Sequence, residues 1–241
     1  MPFVVALQQL SASSPALAPL LGITVYEANQ KLAAGLPAVL TQTPDRARAI
    51  ELVTQLRAAG HDAVVFDAAA VVDLAQMTVL RDFHFEPHAL TLQGIDGRTL
   101  DELPWADVHC LVRAVDRTGE RVTRTEKETT LSAARIIVSG GLLATKTNTK
   151  EITSNTEARE GILVMFRRSG AAPWILRETA ARYGALEHER AATTLQNFMI
   201  ACARIRSLSN APYDERLLTR RARGDELGLL VHLLAMRAAA P

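Results

Sequence analysis

Residues 20–66 read LLGITVYEANQKLAAGLPAVLTQTPDRARAIELVTQLRAAGHDAVVF, and the fold of the opening part of the chain turns on this stretch. Thr24 and Glu27 have the spacing of a capping box, in which each side chain satisfies the other residue's unpaired backbone N–H. A helix therefore starts here, with Val25, Ala28 and Leu32 facing inward, and Gly35 with Pro37 ends it. Ala38 to Leu40 reads as a strand. Thr43-Pro44 then opens a longer helix to Ala59, the hydroxyl capping and the proline taking the first helical position. Ile50, Val53 and Leu56 form its core side, and Arg46, Arg48, Glu51 and Arg57 its outer side. Gly60 supplies a left-handed stop, and Ala63 to Phe66 is a further strand. Upstream, Phe3 to Leu7 has the length of a buried strand, Ser11 to Pro15 punctuates, and Leu17, Leu20 and Leu21 make a brief helix that closes on Gly22. The spacing predicts a small β-α-α-β-α-β domain over residues 1–68, built to bind rather than to catalyse.

That order of elements, with Leu21-Gly22-Ile23 leading into Glu27-Ala28, then Pro37-Ala38 and the pattern from Ala47 through Gly60, resembles the C-terminal domain of the bacterial ribosomal stalk protein. Adaptors of the Clp protease share this fold. The resemblance covers about a quarter of the chain and implies a helix-face docking surface for a protein partner. In the stalk family lysines flank the Glu-Ala pair and recruit translational GTPases. This chain has Tyr26 and Asn29 there, and Lys31 is the only lysine on the helix. The docking surface is therefore expected at Tyr26, Asn29, Lys31, Arg46, Arg48 and Arg57, with the GTPase partner left open.

After an Ala/Val-rich stretch from Ala68 to Ala75, read as a linker helix or an extra turn, the pattern changes. Phe83 and Phe85 alternate with Asp82, His84 and Glu86, and Leu90 and Leu92 flank Thr91. Gly94 and Asp96-Gly97 supply a turn. Val108 to Val115 reads as another strand, and Gly161 to Arg167 with Trp174 to Leu176 as a hairpin. Leu195, Phe198, Met199, Cys202 and Ile205 recur at helical spacing until Asn210-Ala211-Pro212. Strands followed by one amphipathic helix, with Leu103-Pro104-Trp105-Ala106-Asp107-Val108 before a strand, resemble a bacterial pleckstrin-homology-like barrel plugged by its C-terminal helix, over residues 77–210. The segment from Gly119 to Glu160 reads as an inserted long hairpin or loop. Residues 211–241 form a helical tail. Its stripe of Leu227, Leu230, Val231 and Leu234 needs a cover, and self-association through it is one expectation. The expected class is α+β.

The 241 residues are 48% hydrophobic and 22% charged with a net charge of +1, which suits a chain with proper cores and gives no bulk pull toward nucleic acid or anionic membrane. No apolar run approaches the roughly 18 residues of a membrane span, and the first ten residues lack the features of a signal peptide. A cytoplasmic location follows as an expectation, with Cys110 and Cys202 as buried free thiols.

The remaining constellations are weak. His84, Glu86 and His88 would share one face of a strand where a divalent metal could sit, but Pro87 interrupts it, and a solvated face opposite Phe83 and Phe85 is the plainer reading. Gly141 with Lys146-Thr147 lacks the second glycine of a phosphate loop. Asp101-Glu102 reads as a turn's solvent side. Arg216, Arg220, Arg221 and Arg223 are offset by Asp214, Glu215, Asp225 and Glu226, so nucleic acid is not an expected partner. No serine or cysteine nucleophile is set up. Trp105 and Trp174, each beside a proline, read as core plugs or as the rim of a groove. No metal or cofactor is expected, and the leading reading is a non-catalytic adaptor or scaffold. A ribosome-associated factor and an enzyme with a site formed between domains are the competing readings.

Overall fold

The structure, a computed structural model, describes residues 2–11, 14–131, 145–220, 222 and 224–238. It is α+β. The opening segment runs β1 (Phe3–Gln9), α1 (Ser14–Leu21), α2 (Val25–Leu32), β2 (Ala38–Thr43), α3 (Arg46–Ala58) and β3 (Asp62–Asp67). Its three strands form one antiparallel sheet in the order β2-β1-β3. The Thr24–Glu27 capping box forms as the spacing predicts. The second helix starts differently. Asp45, not Thr43, is the cap, its carboxylate accepting from the N–H of Ala47 at 2.9 Å and Arg48 at 3.2 Å. Thr43 Oγ1 accepts from the Asp45 N–H instead, which leaves Pro44 ahead of the helix. The core side holds Val53 and Leu56 as expected, but its first member is Ala49, and Ile50 is exposed.

Because successive strand residues point to opposite faces, β1 sends Val5 and Leu7 into a core with Leu17, Leu40, Ala49, Val53 and Leu56 under the helices. Val4 and Ala6 go into a different core on the other side. There they meet α5 (Gly224–Ala238), through Leu227, Leu230, Val231, Leu233 and Leu234, and one face of a larger sheet. Gln8 extends from the same side and donates to the Leu233 carbonyl at 3.2 Å. The opening sheet thus pairs only within its own three strands but has its second face covered by distant sequence.

The two 3-10 turns Ala68–Ala70 and Leu74–Gln76 lead into β4 (Thr78–Leu80). A three-stranded antiparallel sheet follows, from β5 (Asp82–Phe85), β6 (Ala89–Gln93) and β7 (Thr99–Pro104). Then come β8 (Val108–Leu131), β9 (Thr145–Arg167), β10 (Trp174–Arg177), α4 (Thr194–Ser209) and β11 (Tyr213–Leu217). The hairpin of β9 and β10 pairs Trp174 with Met165 and Leu176 with Leu163. The five-stranded sheet has the order β11-β8-β9-β10-β4. Its strands are apolar at consecutive positions because both faces are covered: Cys110, Val112, Ile162, Val164 and Ile175 face the core with α5. Leu111, Leu163, Met165, Trp174 and Leu176 face a second core with β5 to β7 and α4. A pleckstrin-like closed barrel is therefore corrected: β11 and β4 are open ends of this sheet, and β5 to β7 form a sheet of their own.

Two compact units result, Met1–Arg117 with Arg159–Pro241, and Thr118–Ala158. The second contains parts of both β8 and β9 and coincides with the inserted stretch read at 119–160. Residues 1–68, 77–117, 159–210 and the described part of 211–241 belong to the first unit.

Helices α2 and α4 also depart from the sequence reading of their faces: Val25, expected to face inward on α2, is exposed. On α4, Leu195 and Met199 are exposed, while Asn197 is buried and bonds the backbone of Ala191 through both its oxygen and its nitrogen. The apolar stripe on α5 is covered by this chain itself, with Leu227, Leu230 and Val231 fully buried. Self-association through that stripe is thereby overturned.

The ring of His232 on α5 lies 5.2 Å from that of Phe66, and burial pushes its pKa below the ordinary 6.5. The unfolded chain takes up this proton more readily, so the stabilisation is present above pH 6.5 and is lost as the pH falls through the folded-state value. Melting temperature is expected to decline from about pH 7 toward about pH 5, and His232→Phe should flatten that decline. Thermal melts of both proteins across the range check this; identical slopes would assign the proton to another group.

Candidate functional site

Three elements of the opening segment enclose the hollow that best matches the docking face. The end of α1 and the turn after it contribute Leu21 and Ile23, α2 contributes Lys31, β2 contributes Leu40 to Thr43, the turn that follows contributes Pro44, and α3 contributes Arg48, Ala49 and Leu52. The pocket has a volume of about 420 Å³. A bulge in β2 shapes its floor: Ala6 pairs with Val39 and Val5 with Thr41, so Leu40 is the extra residue. Leu40 packs in the core below while lining the pocket. Leu21, Ile23 and Leu52 are half-buried around it.

Charge at this site is one-sided. Lys31 and Arg48 line the pocket and no carboxylate does. Of the nearby acids, Glu27 and Asp45 are engaged by backbone, and Glu51 accepts from Gln55 Nε2 at 3.2 Å. Glu27 Oε2 accepts from the Thr24 N–H at 2.8 Å and from its hydroxyl at 2.9 Å, and these bonds hold its carboxyl below the usual range. Asp45 caps α3. Lys31, Arg46 and Arg48 form no ion pair among the described residues.

Of the six residues expected to make the docking surface, only Lys31 and Arg48 meet in the pocket. Tyr26 is 75% exposed on α2, with Val25 beside it also exposed. Asn29 and Arg46 are exposed but line nothing. Arg57 belongs elsewhere: its Nε donates to the Ala63 carbonyl at 2.8 Å, tying α3 to β3. Leu21, Ile23, Leu40 and Leu52 were not in the expected set, and no local motif marks them. Only their convergence across three elements does.

No protein-family model, curated protein or solved structure matches the chain.

The tryptophans are not a rim. Trp174 is fully buried between β9 and β4, and Trp105 is buried with its Nε1 donating to the Glu86 carbonyl at 3.0 Å. His84 lies on β5 whereas Glu86 and His88 lie beyond its end, and His88 stands 3.7 Å from Glu102. Among the described residues no three His, Cys, Asp or Glu side chains are placed to share a metal. Gly141 lies outside the described residues, and Lys146 and Thr147 fall within β9. Arg216 is paired with Asp214 at 2.7 Å. Arg220 is buried and donates to the carbonyls of Gly35 and Pro37, and Arg221 and Arg223 lie outside the described residues. Burial pushes the Cys110 and Cys202 thiols up to about 12, so neither offers a thiolate nucleophile near neutral pH.

A larger hollow, about 570 Å³, lies beside β5 and α4, and two of its polar side chains are engaged within the fold. Arg182 faces Asp82 at 3.3 Å, and Asn197 is held by Ala191. No described helix is long and apolar enough to cross a membrane.

Proposed function

We propose that this chain is a non-catalytic adaptor that docks partner proteins on the α2–β2–α3 face of its opening segment. One observation carries this: apolar Leu21, Ile23, Leu40 and Leu52 meet the cations Lys31 and Arg48 in one pocket whose lining holds no carboxylate. An apolar pocket with a few placed polar groups is what a specific ligand requires, and the ring of Tyr26, exposed on the same helix as Lys31, is of the kind enriched at protein interfaces. The element order that resembles the ribosomal-stalk and Clp-adaptor fold supports the same reading, since such domains work by helix-face recruitment.

Tyr26→Ala and Arg48→Glu alter side chains that the fold does not bury. Affinity capture from extract of the source cells with the wild-type chain should enrich partners that both variants lose by about tenfold, as hot-spot truncations do. Quantitative mass spectrometry reads the outcome. Equal recovery by all three proteins would remove the docking site from this face.

A further inference from the structure

We infer that the occupant of the α2–β2–α3 pocket is an acidic protein segment that lies extended along β2 and places an aliphatic side chain on the Leu40 floor. This rests on the docking reading and adds the chemistry of the partner. The first support is charge. The pocket wall offers Lys31 and Arg48 with no carboxylate in the lining, and the side chains of the neighbouring acids Glu27 and Asp45 are held at helix caps outside it. A cationic wall over an apolar floor favours a ligand of opposite charge and steers its approach.

The second support is the backbone. β2 is an end strand, hydrogen-bonded only to β1, and among the described residues the main chain of Ala38–Thr43 has no other hydrogen-bond partner. The opposite end strand is guarded: β3 carries Asp62 and Asp67 at its ends, and Arg57 occupies the Ala63 carbonyl. Charged residues and covered carbonyls are how proteins blunt such ends. β2 reads AVLTQT, without charge or proline. The bulge at Leu40 breaks the regular ladder, which leaves Thr41 to Thr43 as the run that an extended segment would meet. All three line the pocket. Main-chain bonds along that run would supply affinity, and the flanking Lys31, Arg48 and Leu40 would supply selectivity.

The test uses the full chain and a defined probe, a short capped peptide of alternating Glu and Val, with alternating Lys and Val as its control. Backbone amide shifts in NMR titration should move at Lys31, Thr41, Gln42, Thr43 and Arg48 with the Glu peptide. The Lys peptide should bind at least about fivefold more weakly, the factor expected from two exposed ion pairs. The double variant Lys31→Glu/Arg48→Glu should invert the preference, which separates a charge effect from damage to the fold. Equal binding of both peptides, shifts confined to other residues, or no inversion in the double variant would each overturn the inference. If the Glu peptide fails while Tyr26→Ala still abolishes capture, the docking face stands and only the acidic partner falls. If capture is indifferent to every variant, the docking face itself falls.

Discussion

A chain ending at Arg220 is expected not to fold. It lacks α5, whose Leu227, Leu230, Val231, Leu233 and Leu234 are buried to within a few per cent. At about 2 kcal/mol for each large aliphatic side chain removed from water, the loss is about 10 kcal/mol. That is the scale of a whole domain's stability, roughly 5–15 kcal/mol. The damage is also shared, because the same helix covers Val4, Ala6 and Phe66 of the opening sheet and Ile162, Val164 and Ile175 of the five-stranded one. Far-UV circular dichroism and proton NMR of the shortened chain should show lost cooperative melting and collapsed dispersion. A folded truncated protein that associates through newly exposed surface would instead show that α5 is a detachable tail.

Trp174→Ala carries the second large effect. Trp174 is fully buried and packs with Leu80, Met165, Leu176 and Phe198 in one core, and removing a buried tryptophan costs about 3–5 kcal/mol. Its indole N–H has no hydrogen-bond partner, so Trp174→Phe discards an unsatisfied donor along with part of the ring. That variant should lose only about 1 kcal/mol. Urea unfolding followed by circular dichroism gives both values. A loss below about 0.5 kcal/mol for the alanine variant, the size of an ordinary surface change, would return Trp174 to the edge of a groove.

Local signals read correctly wherever a few neighbouring residues decide the outcome. The Thr24–Glu27 box, the hairpin of residues 161–176, the long helix ending at Asn210 and the separate inserted stretch are all of this kind. Asn210 even adopts the left-handed cap conformation that an Asn-Ala-Pro stop suggests. Positions of one residue's precision failed because a competing group won. Asp45 offers the backbone a charged acceptor where Thr43 offers a hydroxyl; on the same helix Val53 and Leu56 meet the core as read, and Ala49 takes the place expected of Ile50. On α4, the buried polar Asn197, held by the Ala191 backbone, is what an apolar pattern misses, and Leu195 and Met199, which the pattern placed inside, are exposed. The layering was not legible, since nothing local tells β1 that its even-numbered face awaits a helix from the far end of the sequence. The pocket was half legible: Lys31 and Arg48 stood out as exposed cations on helices, while its apolar floor depends on a bulge that only pairing with β1 reveals.

The bond from Gln8 to the Leu233 carbonyl joins positions 225 apart in sequence. During synthesis the first sheet can close its ladder as soon as residue 67 is clear of the exit tunnel. Its α5-facing side must nevertheless stay bare for the roughly ten to thirty seconds that elongation takes to reach that helix. The first strand is therefore expected to become resistant to protease only once α5 has been made.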